Sequence, residues 1–105
     1  MAVKKVNLVH DANGSPVQGA LSPYSTVVVA FDASARNTNP LEGEIVRLIA
    51  TQDCHIKFGG AVVTATTSDM FLKGSQAEYF TLRGSTYIAA IKSAGAGNLY
   101  ITVMV

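Results

Sequence analysis

The chain has 105 residues, enough for one domain with a buried core and too few for a second functional layer. Hydrophobic residues make up 49% and charged residues only 14%, against roughly 25% charged in an ordinary soluble domain. Such a surface is small for its volume, partly covered by neighbours, or simply rich in Ser, Thr, Asn and Gly. The net charge is +1 and Lys4-Lys5 is the only adjacent basic pair, which argues against a nucleic-acid footprint or a polybasic membrane anchor.

In chain order, Val3 to Val9 reads as a first strand, with Val6 and Leu8 on one face. Asp11 to Ser25 reads as a loop, because Asn13-Gly14, Pro16, Gly19 and Pro23 all oppose regular structure. A loop of that length in a compact domain tends to be functional or to pack on a partner. Thr26 to Asp32 is the strongest β-former, and its near-continuous apolar character predicts burial on both faces, between sheets or at a subunit contact. Residues 33 to 43, with Asn37, Asn39 and Pro40, form a second loop with room for no more than a helical turn.

Glu44 to Ala50 and Cys54 to Phe58 follow as strands joined at Gln52-Asp53, a predicted hairpin. Gly59-Gly60 then breaks the pattern before a further strand at Ala61 to Thr66. Met70 to Leu72, Glu78 to Leu82, Thr86 to Lys92 and Asn98 to Val105 complete the set, with Ser93 to Gly97 as a hairpin connection before the last. The period of two predicts an all-β, antiparallel sandwich of about eight strands in one domain, with residues 1–43 as its loop-rich N-terminal part. A jelly-roll-like order is favoured over an immunoglobulin-like one, although local pattern does not separate them. The last strand runs into apolar Val103, Met104 and Val105, and is expected to be paired internally or by a neighbouring subunit.

No signal peptide is expected from Met-Ala-Val-Lys-Lys-Val-Asn, and no apolar run approaches the roughly 18 residues of a membrane helix. The lone Cys54 cannot close an intrachain disulfide, so folding in a reducing cytoplasm is expected. Asp53-Cys54-His55 is the one place where nucleophile, base and carboxylate coincide, yet neighbours on a strand point to opposite faces and cannot share a proton. His10, Asp11, Asp53 and His55 lack metal-ligand spacing. Gly95-Ala96-Gly97 precedes a strand rather than the helix a phosphate loop requires. Neither catalysis, nor a cofactor, nor a metal is expected. Tyr24, Tyr79, Tyr87 and Tyr100 leave a sugar-stacking, host-surface glycan-binding module as a rival reading.

The runs Val46-Arg47-Leu48-Ile49-Ala50-Thr51-Gln52-Asp53-Cys54-His55-Ile56-Lys57-Phe58-Gly59, Ala65 to Leu72, Ala77-Glu78-Tyr79-Phe80 and Tyr87-Ile88-Ala89-Ala90-Ile91 follow one another in a distinctive order. In that order residues 44–105 resemble a family of small proteins encoded among the structural genes of tailed bacteriophages. Ala77 stands where that family commonly has proline. The resemblance implies a non-enzymatic virion component, foremost a capsid decoration (cement) protein that binds the major capsid protein and stabilises the head. A head-tail junction or fibre-associated role is the alternative. It also implies a homo-oligomer, trimer or dimer, located in the virion, with no direct nucleic-acid or membrane contact. Partner-binding residues are expected in the N-terminal segment, at Lys4 and Lys5, and in the two long loops, at Tyr24, Arg36 and Asn37.

Overall fold

Val46, Leu48 and Ala50 are buried while Ile45, Arg47 and Ile49 between them are not, so one face of this strand meets a core. The same period recurs along the chain in the computed structural model, which describes residues 21–105. The strands are β1 (Pro23–Phe31), β2 (Ala35–Arg36), β3 (Ile45–Ala50), β4 (Cys54–Gly59), β5 (Met70–Leu72), β6 (Glu78–Thr81), β7 (Tyr87–Lys92) and β8 (Gly97–Met104). They form two four-stranded sheets, ordered β1-β8-β3-β6 and β2-β7-β4-β5, with every neighbouring pair antiparallel. First strand pairs with last, second with second-last, and so inward, alternately in the two sheets. That is the jelly roll: one long hairpin rolled upon itself.

Each sheet buries its inner face against the other. Phe31, Val46, Leu48, Leu99, Ile101 and Val103 come from the first sheet, and Cys54, Ile56, Leu72, Ile88 and Ala90 from the second. At roughly 25 cal/mol per Å² of apolar surface, their burial is the main term holding the sheets together. Phe58 and Phe80 pack against this core at its margin, their ring centroids 5.5 Å apart.

Most strand positions expected from alternation recur within a residue, β1 starts three residues early at Pro23 in what was expected to be loop, and four further expectations change. The turns at Gln52-Asp53 and at Ser93–Gly97 are not hairpins: β3 and β4 lie in different sheets, as do β7 and β8. Both connections cross from one sheet to the other, held by Thr51 N–H to Asn98 O at 2.9 Å and Ser93 N–H to Asp53 O at 3.2 Å. Ala61 to Thr66 is not a strand, because the chain turns at once with Val63 N–H on Gly60 O. The predicted loop 33–43 contains β2, which pairs with Ala89 and Ala90 of β7. Finally, β1 is not buried on both faces within the chain. Val29 and Phe31 face the core, whereas Val28 is 50% exposed on the outer side. The predicted strand Val3 to Val9, and Lys4 and Lys5 in it, lie outside the described residues.

Gly43 shows how tightly the β2–β3 connection meets the core. Its φ is +137°, and a Cβ there would sit 2.5 Å from Val103 Cγ1. Gly43→Ala therefore combines backbone strain with a clash against a buried side chain, and is expected to cost about 2–3 kcal/mol. A urea midpoint unchanged from wild type would contradict this.

Candidate functional site

Three regions concentrate surface chemistry. The first is the sandwich end where the inter-sheet connections gather. Thr51, Gln52, Asp53, Lys73, Gly74, Ser75, Ala94 and Gly95 line a shallow polar cleft of about 320 Å³ there. Its carboxylate is already engaged: Asp53 Oδ1 accepts from Gly74 N–H at 2.7 Å, with Lys73 Nζ 3.8 Å away. Gly74 lies close against the backbone of Gln52 and Asp53, at 2.9–3.0 Å from where its Cβ would be. Asp53 thus works as a tie between two connections, and the cleft is open rather than enclosing.

The second region surrounds Cys54 and His55. Cys54 points into the core and is wholly buried. Burial pushes its thiol up to about 11, and the adjacent Asp53 carboxylate adds to the shift. His55 occupies the opposite, outer face, where its Nδ1 lies 3.0 Å from Asp69 O and its ring meets Phe71 edge-on at 5.5 Å. The two side chains diverge as strand geometry demands. A buried, neutral thiol is a poor nucleophile. Cys54 in the native protein is expected to react with a thiol reagent only at the rate of unfolding; prompt stoichiometric labelling would contradict that. Because the thiol ionises near 9 once unfolded and only near 11 when folded, stability should also decline as pH rises between those values.

Asp69 ends the connection that runs over this outer face. Its carboxylate accepts from Thr66 N–H at 2.7 Å and Thr66 Oγ1 at 3.2 Å. The Thr66 backbone N–H, chiefly, holds Asp69 below its ordinary range. Further along, Ala65 N–H donates to Ser34 Oγ at 2.8 Å, beside β2. Residues 60–69 therefore lie across the outer side of the β2-β7-β4-β5 sheet. Ala65 is 3% exposed and Ala89, at an outward register position on β7, is fully buried. The middle of this sheet's outer side is thus covered, while Phe71, Lys57 and Arg36 around it stay exposed.

The third region is the outer face of the other sheet. Register places Val28, Tyr100 and Ile49 in one row across β1, β8 and β3. Thr26, Thr102, Arg47 and Tyr79 form the next row, and Met104, Ile45 and Thr81 a third. Arg47 is the one charge among these outward positions. Thr26 and Thr102 satisfy each other's hydroxyls at 3.0 Å. Val28, Tyr79 and Tyr100 stand well exposed, giving a broad, weakly charged face with aromatic side chains of the kind enriched in protein contacts.

The residues expected to bind partners do not converge. Tyr24 is exposed at the irregularity that opens β1. Arg36 is exposed on β2 in the other sheet. Asn37 is only 2% exposed and is spent inside the chain. Its Nδ2 donates to Asn39 O at 2.6 Å and to Thr86 O at 3.3 Å, and its Oδ1 accepts from Ile88 N–H at 2.8 Å. The side chain ties the β2–β3 connection to the start of β7 and offers nothing to a partner. What sequence reasoning missed is the outer row of Val28, Ile49 and Tyr100. Their alternation was visible, but not which sheet would be left uncovered.

Among the described residues no group of His, Cys, Asp and Glu is placed to hold a metal ion, and no helix is long and apolar enough to cross a membrane. No protein-family model, curated protein or solved structure matches the chain.

Proposed function

We infer that this chain is a non-enzymatic structural component of a tailed-bacteriophage virion, a capsid decoration protein that binds the major capsid protein by its outer surface. The observation that carries the reading is the contrast between the two sheets. One is partly covered by the chain's own residues 60–69 and carries Arg36 and Lys57 on its outer side, while the other presents a broad face whose outward positions, among the described residues, hold a single charge. The order of motifs in residues 44–105 supplies the virion context, and a rigid jelly roll suits it. A stiff sandwich can touch several capsid subunits at once, and repeated weak contacts on a symmetric shell add to firm attachment. Contacts formed between capsomers then resist the internal pressure of packaged DNA.

Heads of the encoding phage assembled without the protein should leak DNA at a lower temperature, and adding the purified chain back should restore the wild-type value. No change on omission would overturn the reading. Recovery of the chain only with tails or fibres would replace it with the junction or fibre role. Sugar binding that depends on Tyr24 would replace it with the glycan-binding module.

A further inference from the structure

The four sheet edges are protected unequally. β2 is two residues long and carries Arg36; β5 is three residues long, flanked by Asp69 and Lys73; β6 is four residues long and begins at Glu78. β1 is nine residues, Pro-Tyr-Ser-Thr-Val-Val-Val-Ala-Phe, without a charge and without a proline after its first position. Short strands and edge charges are the usual devices against strand-to-strand association. β1 has neither along Thr26–Phe31: its proline and its register shift are confined to Pro23–Ser25 and Asp32 comes only after its last residue, although among the described residues it is an edge of its sheet.

The hydrogen-bond phase of that edge can be read from its ends. Ser22 and Val105 exchange both backbone bonds, at 2.8 and 2.9 Å, whereas Asn98 O turns the other way to Thr51 N–H. Antiparallel ladders alternate, so Val103, Ile101, Leu99 and Gly97 bond to β1, and their partners Ser25, Val27, Val29 and Phe31 bond back. Thr26, Val28 and Ala30 therefore direct both N–H and C=O away from β8, along the open edge. Their side chains are also those on the outer face.

We propose that β1 is a homodimer interface, with two copies pairing antiparallel about a two-fold axis at Val28. In that register Val28 faces Val28 of the second copy and Thr26 faces Ala30, so every outward N–H and C=O of these residues meets its complement. The set is self-complementary, as every antiparallel edge is and as a two-fold contact requires; the uncharged length of β1, which the other three edges lack, favours a second copy as the occupant. No like charges meet along the strand. The pairing joins the two outer faces into one eight-stranded surface, with the row Ile49-Tyr100-Val28 running into its symmetry mate. The interface stands independently of the virion reading, since it concerns the purified chain alone.

The test is sedimentation of the full-length chain, together with amide exchange at single-residue resolution. The wild type should sediment at twice its 11.0 kDa, with slow exchange at Thr26, Val28 and Ala30. Val28→Lys places like charges opposite each other at the axis and should weaken association by about a hundredfold or more. Exchange at Thr26 and Ala30 should quicken with it, while circular dichroism stays unchanged because the side chain lies on the outer face. Tyr79→Lys, on the far edge strand of the same sheet, should leave the dimer intact. A wild-type monomer would overturn the proposal, whether its β1 amides exchange fast (an open edge) or slowly (an edge covered by the chain's own residues 1–20). So would a dimer indifferent to Val28→Lys.

Discussion

Phe31→Ala is expected to destabilise the protein by about 3–5 kcal/mol, a large fraction of the roughly 5–15 kcal/mol that holds a typical domain folded. Phe31 closes β1, is 1% exposed, and is among the largest wholly buried side chains. Its cross-strand partner is Gly97, which has no side chain to fill the space. Nor could a side chain at Gly97 fill it, because a Cβ there would already meet Thr51 and Gln52 within 3.0 Å. The void would therefore persist. A urea titration should show a lowered midpoint with an unchanged slope, while Val28→Ala on the outer side of the same strand should cost well under half as much. A loss below about 1 kcal/mol for Phe31→Ala would mean the sheets are not packed as described.

The second large effect is at Asn37. Replacing it with Ala would leave Ile88 N–H buried without an acceptor and Asn39 O without its donor, while Thr86 O keeps Leu41 N–H at 2.9 Å. An orphaned buried donor costs about 1–3 kcal/mol, and losing the tie between the β2–β3 connection and β7 adds to it. We expect about 2–4 kcal/mol in total. Asn37→Asp separates the contributions. It keeps the acceptor for Ile88 but sets a carboxylate against the carbonyls of Asn39 and Thr86. That carboxyl should titrate above its unfolded value, so the variant should regain stability as pH falls through its folded value. Equal stability of Asn37→Ala and wild type would show that the amide faces solvent.

The same residue shows where sequence reading stops. Asn37 in a loop is read as a surface group because nothing local reveals that Thr86 and Ile88, far along the chain, will close around it. Alternation in Ile45 to Ala50 and in Tyr87 to Lys92 was legible because a half-buried strand must place its apolar residues at every second position. It reports which face is inward and not which sheet the strand joins. That is why the connections at Gln52-Asp53 and Ser93–Gly97 looked like hairpins and turned out to cross between sheets. Ala35–Arg36 is too short for any periodic signal. Ala61 to Thr66 carries strand-forming residues, but its backbone is claimed by a turn at Gly60 and by Ser34 across the sheet. The apolar run in β1 promised burial on both faces; among the described residues it has one. The uncovered side is where the surface account now rests.

The divergence of Cys54 and His55 was readable because it follows from strand geometry alone. Which outer face stays open among the described residues was not, since it depends on residues 60–69 lying across one sheet and not the other.

The most direct measurement for the proposed capsid role is co-sedimentation of the purified chain with DNA-free shells of a major capsid protein encoded beside it, for wild type and for Tyr100→Asp. Tyr100 stands mid-row on the open face, 39% exposed, so its replacement should leave the fold intact. Wild-type protein is predicted to pellet with the shells to saturation, and Tyr100→Asp to remain in the supernatant. Wild-type protein that stays in the supernatant, or a variant that pellets as well as wild type, would contradict a function exercised through that sheet.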